Sequence, residues 1–138
     1  GIYFLETGAS QRPSKVIYDR ADAAVTTLTP DEVDLKAAME GARWFHFTGI
    51  PPALGATARR TVTEAARAVA PGGRLAIIDF APHELEFLRA EHAHLRLGFS
   101  DDTLAGYLDD AGLELVSLDH LVSSGGETGE LTVTICIA

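Results

Sequence analysis

The chain has 138 residues, of which 46% are apolar and 22% charged, the size and composition of a single globular domain. Its net charge of −9 opposes nucleic acid and anionic membranes as partners, because Lys and Arg are scattered among more numerous acids. No apolar run approaches the ~20 residues that cross a bilayer, and Gly1-Ile2-Tyr3-Phe4 has neither a basic n-region nor a cleavage site, so a soluble, cytoplasmic protein is expected.

In chain order, residues 2–7 and 15–20 are strand-like runs on either side of Gly8-Ala9-Ser10-Gln11-Arg12-Pro13-Ser14. They predict a hairpin with a longish loop, and its mixed faces suit a projecting ribbon. Thr29-Pro30-Asp31-Glu32 reads as a capping box that opens a helix running to Gly41. Residues 44–50 predict a short buried strand ended by Pro51-Pro52, after which Leu54, Ala58, Val62, Ala65, Ala66 and Val69 fall on one helical face. Pro71-Gly72-Gly73 stops that helix before residues 74–80, an apolar run of the kind found in parallel strands covered on both faces. The resulting βαβ unit places Ile78 in the core.

Beyond Pro82, Leu85, Leu88, His92, Leu95 and Phe99 recur at helical spacing, with Leu88 also expected in the core. Ser100 then caps a further helix that ends at Gly112. Residues 113–121 and 130–137 predict a final antiparallel pair around a Gly/Ser-rich loop at 123–129. Cys136 lies in that apolar alternation and reads as a buried structural thiol.

His83, His92 and His94 with Glu84 and Glu91 invite a metal reading, but His-x-His on a helix aims its rings about 200° apart, and no closed zinc spacing occurs. No metal and no cofactor are expected. Asp79 ends a parallel strand, where α/β folds place ligands, and His83 comes shortly after, so the two form a conceivable pocket pair. Capping of a helix by Asp79 is the competing reading. His46 reads as a core histidine. Tyr18 and Arg20 alternate onto one face of the ribbon and suit either packing or a small acid.

Residues 1 to about 68 resemble 2-keto-3-deoxygluconate kinases of the ribokinase-like sugar kinase family. The resemblance rests on Gly1-Ile2-Tyr3-Phe4-Leu5-Glu6, Val16-Ile17-Tyr18-Asp19-Arg20-Ala21, Leu28-Thr29-Pro30 and Trp44-Phe45-His46-Phe47-Thr48-Gly49-Ile50-Pro51-Pro52-Ala53-Leu54. It implies a β-lid over a sugar acid, often also a subunit contact, with Tyr3 and Tyr18 as hydroxyl donors and Arg20 as partner of the carboxylate. The family's Gly-rich sugar-binding segment and its late Gly-Ala-Gly-Asp motif are not found in the sequence.

From about Glu64 to residue 138 the chain resembles the C-terminal part of class I S-adenosylmethionine-dependent methyltransferases associated with ArsR-type regulators. The carrying residues are Glu64-Ala65-Ala66-Arg67, Ala70-Pro71-Gly72-Gly73-Arg74-Leu75, Ile78-Asp79-Phe80-Ala81-Pro82-His83, Glu91-His92-Ala93-His94, Arg96-Leu97-Gly98-Phe99 and Ala111-Gly112-Leu113-Glu114. That resemblance implies a parallel strand, two helices and two terminal antiparallel strands. The cofactor's Gly-x-Gly-x-Gly loop is not found, and no binding of S-adenosylmethionine is expected.

Together these readings predict one chimeric α/β domain over 1–138, in two or three layers. It is a half-Rossmann βαβ sheet with a C-terminal antiparallel pair and an N-terminal ribbon as lid or arm. The first functional expectation is a recombined scaffold without an intact catalytic site, which self-associates as a homodimer through its ribbon and open sheet edge. Residual kinase or methyltransferase activity, and weak binding of a sugar acid through Tyr3, Tyr18 and Arg20, are the alternatives.

Overall fold

The computed structural model describes residues 1–19, 22–92, 94–122 and 131–138. Strands β1 (Ile2–Glu6) and β2 (Lys15–Asp19) pair antiparallel as a separate two-stranded ribbon, with Tyr3 opposite Tyr18 and Phe4 opposite Ile17. Two short helices come next, α1 (Ala24–Thr27) and α2 (Leu35–Ala38). Then come β3 (Trp44–Phe47), α3 (Ile50–Ala53), α4 (Ala56–Arg67) and β4 (Arg74–Phe80). Helices α5 (Phe87–His92) and α6 (Asp101–Ala111) precede β5 (Ser117–Val122) and β6 (Thr132–Ile137). The second sheet runs β3-β4-β6-β5; β3 and β4 are parallel, as the βαβ spacing predicts, and β6 pairs antiparallel with both of its neighbours.

Alternation along the strands sorts the sheet into two faces. Phe45, Phe47, Leu75, Ile77 and Cys136 share one of them, and there Ala66 of α4 with Leu104, Leu108 and Ala111 of α6 complete the core. On the opposite face Trp44 and Ile78 are 58% and 37% exposed. Ala76, on the same face as Ile78, is buried at 7%, so residues 74–80 are covered on both faces at Ala76 and open at Ile78. The expectation that 44–50 is a buried strand is corrected: β3 is an edge strand, with Trp44 and His46 exposed.

Two predicted helices are shorter than their spacing suggests. The capping box at Thr29 forms as expected, with the Glu32 carboxylate accepting from the Thr29 backbone N–H at 2.8 Å, but it opens only a 3₁₀ turn, Pro30–Glu32. Val33 is extended, and Asp34 then caps α2 afresh by accepting from the Ala37 N–H at 3.0 Å. A second strong N-cap four residues after Pro30 offers the backbone a competing partner and splits the helix. The helix read across Leu85 to Phe99 ends at His92. Gly98, at φ 87°, turns the chain so that the Phe99 N–H reaches the Phe80 carbonyl at 2.8 Å and the His83 N–H reaches the Leu97 carbonyl at 3.1 Å. A side chain at Gly98 would collide with the backbone of Phe80 and Ala81, so only glycine fits this close approach.

Helix α6 obeys its local signals closely: the Ser100 hydroxyl accepts from the Thr103 N–H, and Gly112 closes it at φ 72°. Cys136 is fully buried, and burial, with the Asp101 carboxylate second, pushes its thiol up.

The two faces differ enough to be told apart by truncation. Ile77 is 1% exposed and Ile78 37%. Ile77→Ala should destabilise by about 2–5 kcal/mol through the cavity it leaves, and Ile78→Ala by less than half as much. Urea unfolding of both variants checks this, and equal losses would mean that the second face is covered after all.

Candidate functional site

The parallel strands β3 and β4 end side by side, and the segments beyond their ends build a cleft of about 460 Å³. Thr48 and Gly49 come directly after β3, Ile50, Ala53 and Leu54 come from α3 and its end, and Ile78, Asp79 and Phe80 close β4. Leu88 of α5, the segment His94-Leu95-Arg96, Phe99 and Val133 of β6 supply the other walls. Tyr18 reaches it from the ribbon. Carboxyl ends of parallel strands are where α/β sheets leave room for ligands, because the chain turns away there into helices.

Asp79 organises the floor. One carboxylate oxygen accepts from the Gly49 N–H at 2.5 Å and the other from the Phe80 N–H at 2.7 Å. Gly49 is the residue before α3, so Asp79 acts as a remote cap that ties the two strand ends together. Gly49 is buried, and a Cβ there would run into Phe99 and Asp79, which explains why the position has no side chain.

The Asp79 and His83 pair is not assembled as a hydrogen-bonded couple. His83 Nδ1 accepts from the Leu85 N–H at 3.2 Å, so its proton sits on Nε2, which is buried and has no partner among the described residues. Burial, then the neighbouring His94, push its imidazole below the ordinary value of 6.5, with Asp79 and Glu86 opposing. His83 stands edge-on to Phe80 at 5.7 Å, and His94 stacks on the same ring at 6.2 Å. His94 also lines the cleft.

Of the ribbon residues, Tyr18 faces the cleft, while Tyr3 packs beside it at 6.4 Å and is 67% exposed without lining it. Arg20, the side chain of His92 and the 123–129 loop lie outside the described residues. His46 is exposed on the edge strand, which corrects its reading as a core histidine. Sequence reading also passed over Arg96 as a site residue. Its guanidinium sits 5.6 Å from the centre of the Phe99 ring, at the cleft. No short-range pattern marks this contact, because the two residues share no helix and Gly98 turns the chain between them.

The chain is similar to the 2-dehydro-3-deoxygalactonokinase of Haloferax volcanii, with 44% identity over 79 residues, 57% of this chain and 24% of that protein. It thus spans about a quarter of the length of this curated relative. Among solved structures it is similar to a 2-dehydro-3-deoxygluconokinase from Thermotoga maritima, at 26% identity and a TM-score of 0.49, over 98% of this chain and 50% of that one. No family model matches the chain. Sequence similarity to the kinase therefore covers part of the chain.

The lowered pKa of His83 has a signed consequence. Between its folded value and 6.5 the unfolded chain binds more protons, so stability is present above 6.5 and falls as the pH drops through that window. Urea unfolding at pH 7.5 and 5.5 should show a loss that is smaller in His83→Gln; an identical loss in the variant would exclude His83 as the responsible group.

Proposed function

We propose that this chain is a recombined α/β scaffold that binds a small organic acid in the cleft at the carboxyl ends of β3 and β4, under a kinase-like ribbon. The observation that carries this reading is the placement of Tyr18, a residue of the kinase-like segment, over a cleft floored by Asp79 from the next parallel strand. A hydroxyl at the rim and an apolar interior are the ordinary make-up of a small-molecule site. Asp79 is the acid among the described lining residues, and it accepts a backbone N–H on each oxygen, which holds it to the two strand ends.

In this reading residues 64–138 derive from a methyltransferase-like C-terminal half. Its support is the order of elements: a parallel strand, two helices and two terminal antiparallel strands. The second reading, a residual sugar-acid kinase, is favoured by the 44% identity to the galactonokinase. It differs by requiring nucleotide turnover with 2-keto-3-deoxygluconate.

A calorimetric screen of sugar acids, keto acids and aryl carboxylates should find a saturable ligand whose affinity falls at least about tenfold when Ile50→Trp fills the cleft. Ile50 is 48% exposed, so the substitution leaves the core alone. Absence of any ligand, or a ligand indifferent to Ile50→Trp, would refute the reading.

The ribbon itself supports a homodimer. Ile2, Phe4 and Ile17 are 60%, 58% and 49% exposed on one of its faces, an unusual density of apolar side chains for a solvated arm. Light scattering after size exclusion should give twice the chain mass, reduced to one chain by Phe4→Glu with Ile17→Glu. A monomer at every micromolar concentration would overturn the dimer without touching the cleft.

A further inference from the structure

We propose that Arg96 is the anion anchor of this cleft and that the ligand is a carboxylate with an apolar or aromatic body; the inference rests on the cleft being a binding site. Much of the cleft's lining is apolar, with Ile50, Leu54, Ile78, Phe80, Leu88 and Val133 among it. Such a wall offers hydroxyl groups no partners, and each hydroxyl buried against it loses its water without compensation. A polyhydroxylated acid is therefore a poor match to most of the surface, whereas an aryl or alkyl body gains from it.

Charge enters at one edge. The Arg96 guanidinium lies over the Phe99 ring at 5.6 Å, and among the described residues no carboxylate pairs with it. Phe99 is itself buried at 4% exposure, so the platform beneath the guanidinium is held by the core. Arg96 is exposed, and a guanidinium without a carboxylate partner has N–H donors for both oxygens of a carboxylate. Asp79, the acid among the described lining residues, accepts the Gly49 and Phe80 N–H groups and forms no ion pair with Arg96. Across the cleft the Phe80 ring, stacked with His94, is available to an aromatic body. A volume of about 460 Å³ accommodates a molecule of one ring and a short acid chain.

Calorimetry on the full chain with 3-phenylpropionate, its neutral amide and gluconate tests this, in the unsubstituted protein and in Arg96→Gln and Arg96→Lys. The carboxylate should bind best. Arg96→Gln should weaken it by about ten- to hundredfold, the size of a lost charge-assisted pair. Arg96→Lys should retain part of the affinity, and the amide should bind the protein and Arg96→Gln equally, which shows that the cleft still forms. Equal binding of amide and carboxylate, or a carboxylate affinity untouched by Arg96→Gln, would remove Arg96 as the anchor while leaving a binding cleft. Gluconate binding more tightly than 3-phenylpropionate would overturn the ligand class and also leave the cleft standing. Failure of all three probes would overturn this inference, and the cleft itself falls only if the wider acid screen also finds nothing.

Discussion

The clamp that Asp79 makes between two strand ends is the interaction on which the rest of the molecule's functional end depends. Parallel β3 and β4 are joined along their length by backbone hydrogen bonds, but those bonds stop where the strands stop. Beyond that point the chain after β3 must enter α3 and the chain after β4 must cross toward α5, and two diverging segments leave polar backbone groups unpaired. The Asp79 carboxylate takes the N–H of Gly49 on one side and of Phe80 on the other, so the divergence begins from a fixed origin. Gly49 lacks a side chain, which lets Phe99 lie directly against the clamp. From Phe99 the order passes to Arg96 on its ring and, through the Gly98 turn, to the contacts between 80–83 and 97–99.

The clamp also fixes what the cleft can do. A carboxylate at the end of a parallel strand looks like a catalytic group when the sequence alone is considered, because position and chemistry both suit it. With a backbone donor on each oxygen, Asp79 holds the two strand ends together. The same reassignment applies to His83, whose Nδ1 is used by the Leu85 N–H and whose Nε2 is shut away from hydrogen-bond partners among the described residues. Asp79 and His83 here hold the backbone, and in the proposed reading recognition falls to Tyr18 and Arg96.

The sheet face opposite the core helices is left partly open. Trp44 on that face, with Phe4 and Ile17 on the ribbon, presents apolar surface that the described residues leave exposed. Small α/β domains bury a smaller share of their surface than large ones, and the shortfall appears at sheet edges and open faces first.

Much of the local structure was legible in the residues. The hairpin at 2–6 and 15–19, the parallel pairing of 44–47 with 74–77, the Ser100 cap and Gly112 stop of α6, and the antiparallel final strands all arise from signals a few residues long. Such signals act within one turn or one strand, so neighbours in sequence decide them. The split of the 29–41 helix was also local, through the competing Asp34 cap, though the apolar spacing concealed it. Only the tertiary structure decided which sheet face the core helices cover, that Asp79 reaches Gly49 thirty residues away, and that Arg96 lies over Phe99 in a cleft shared with Tyr18. Each of those depends on where separate elements pack in space, and a periodic pattern states that a face is apolar without stating what will lie against it.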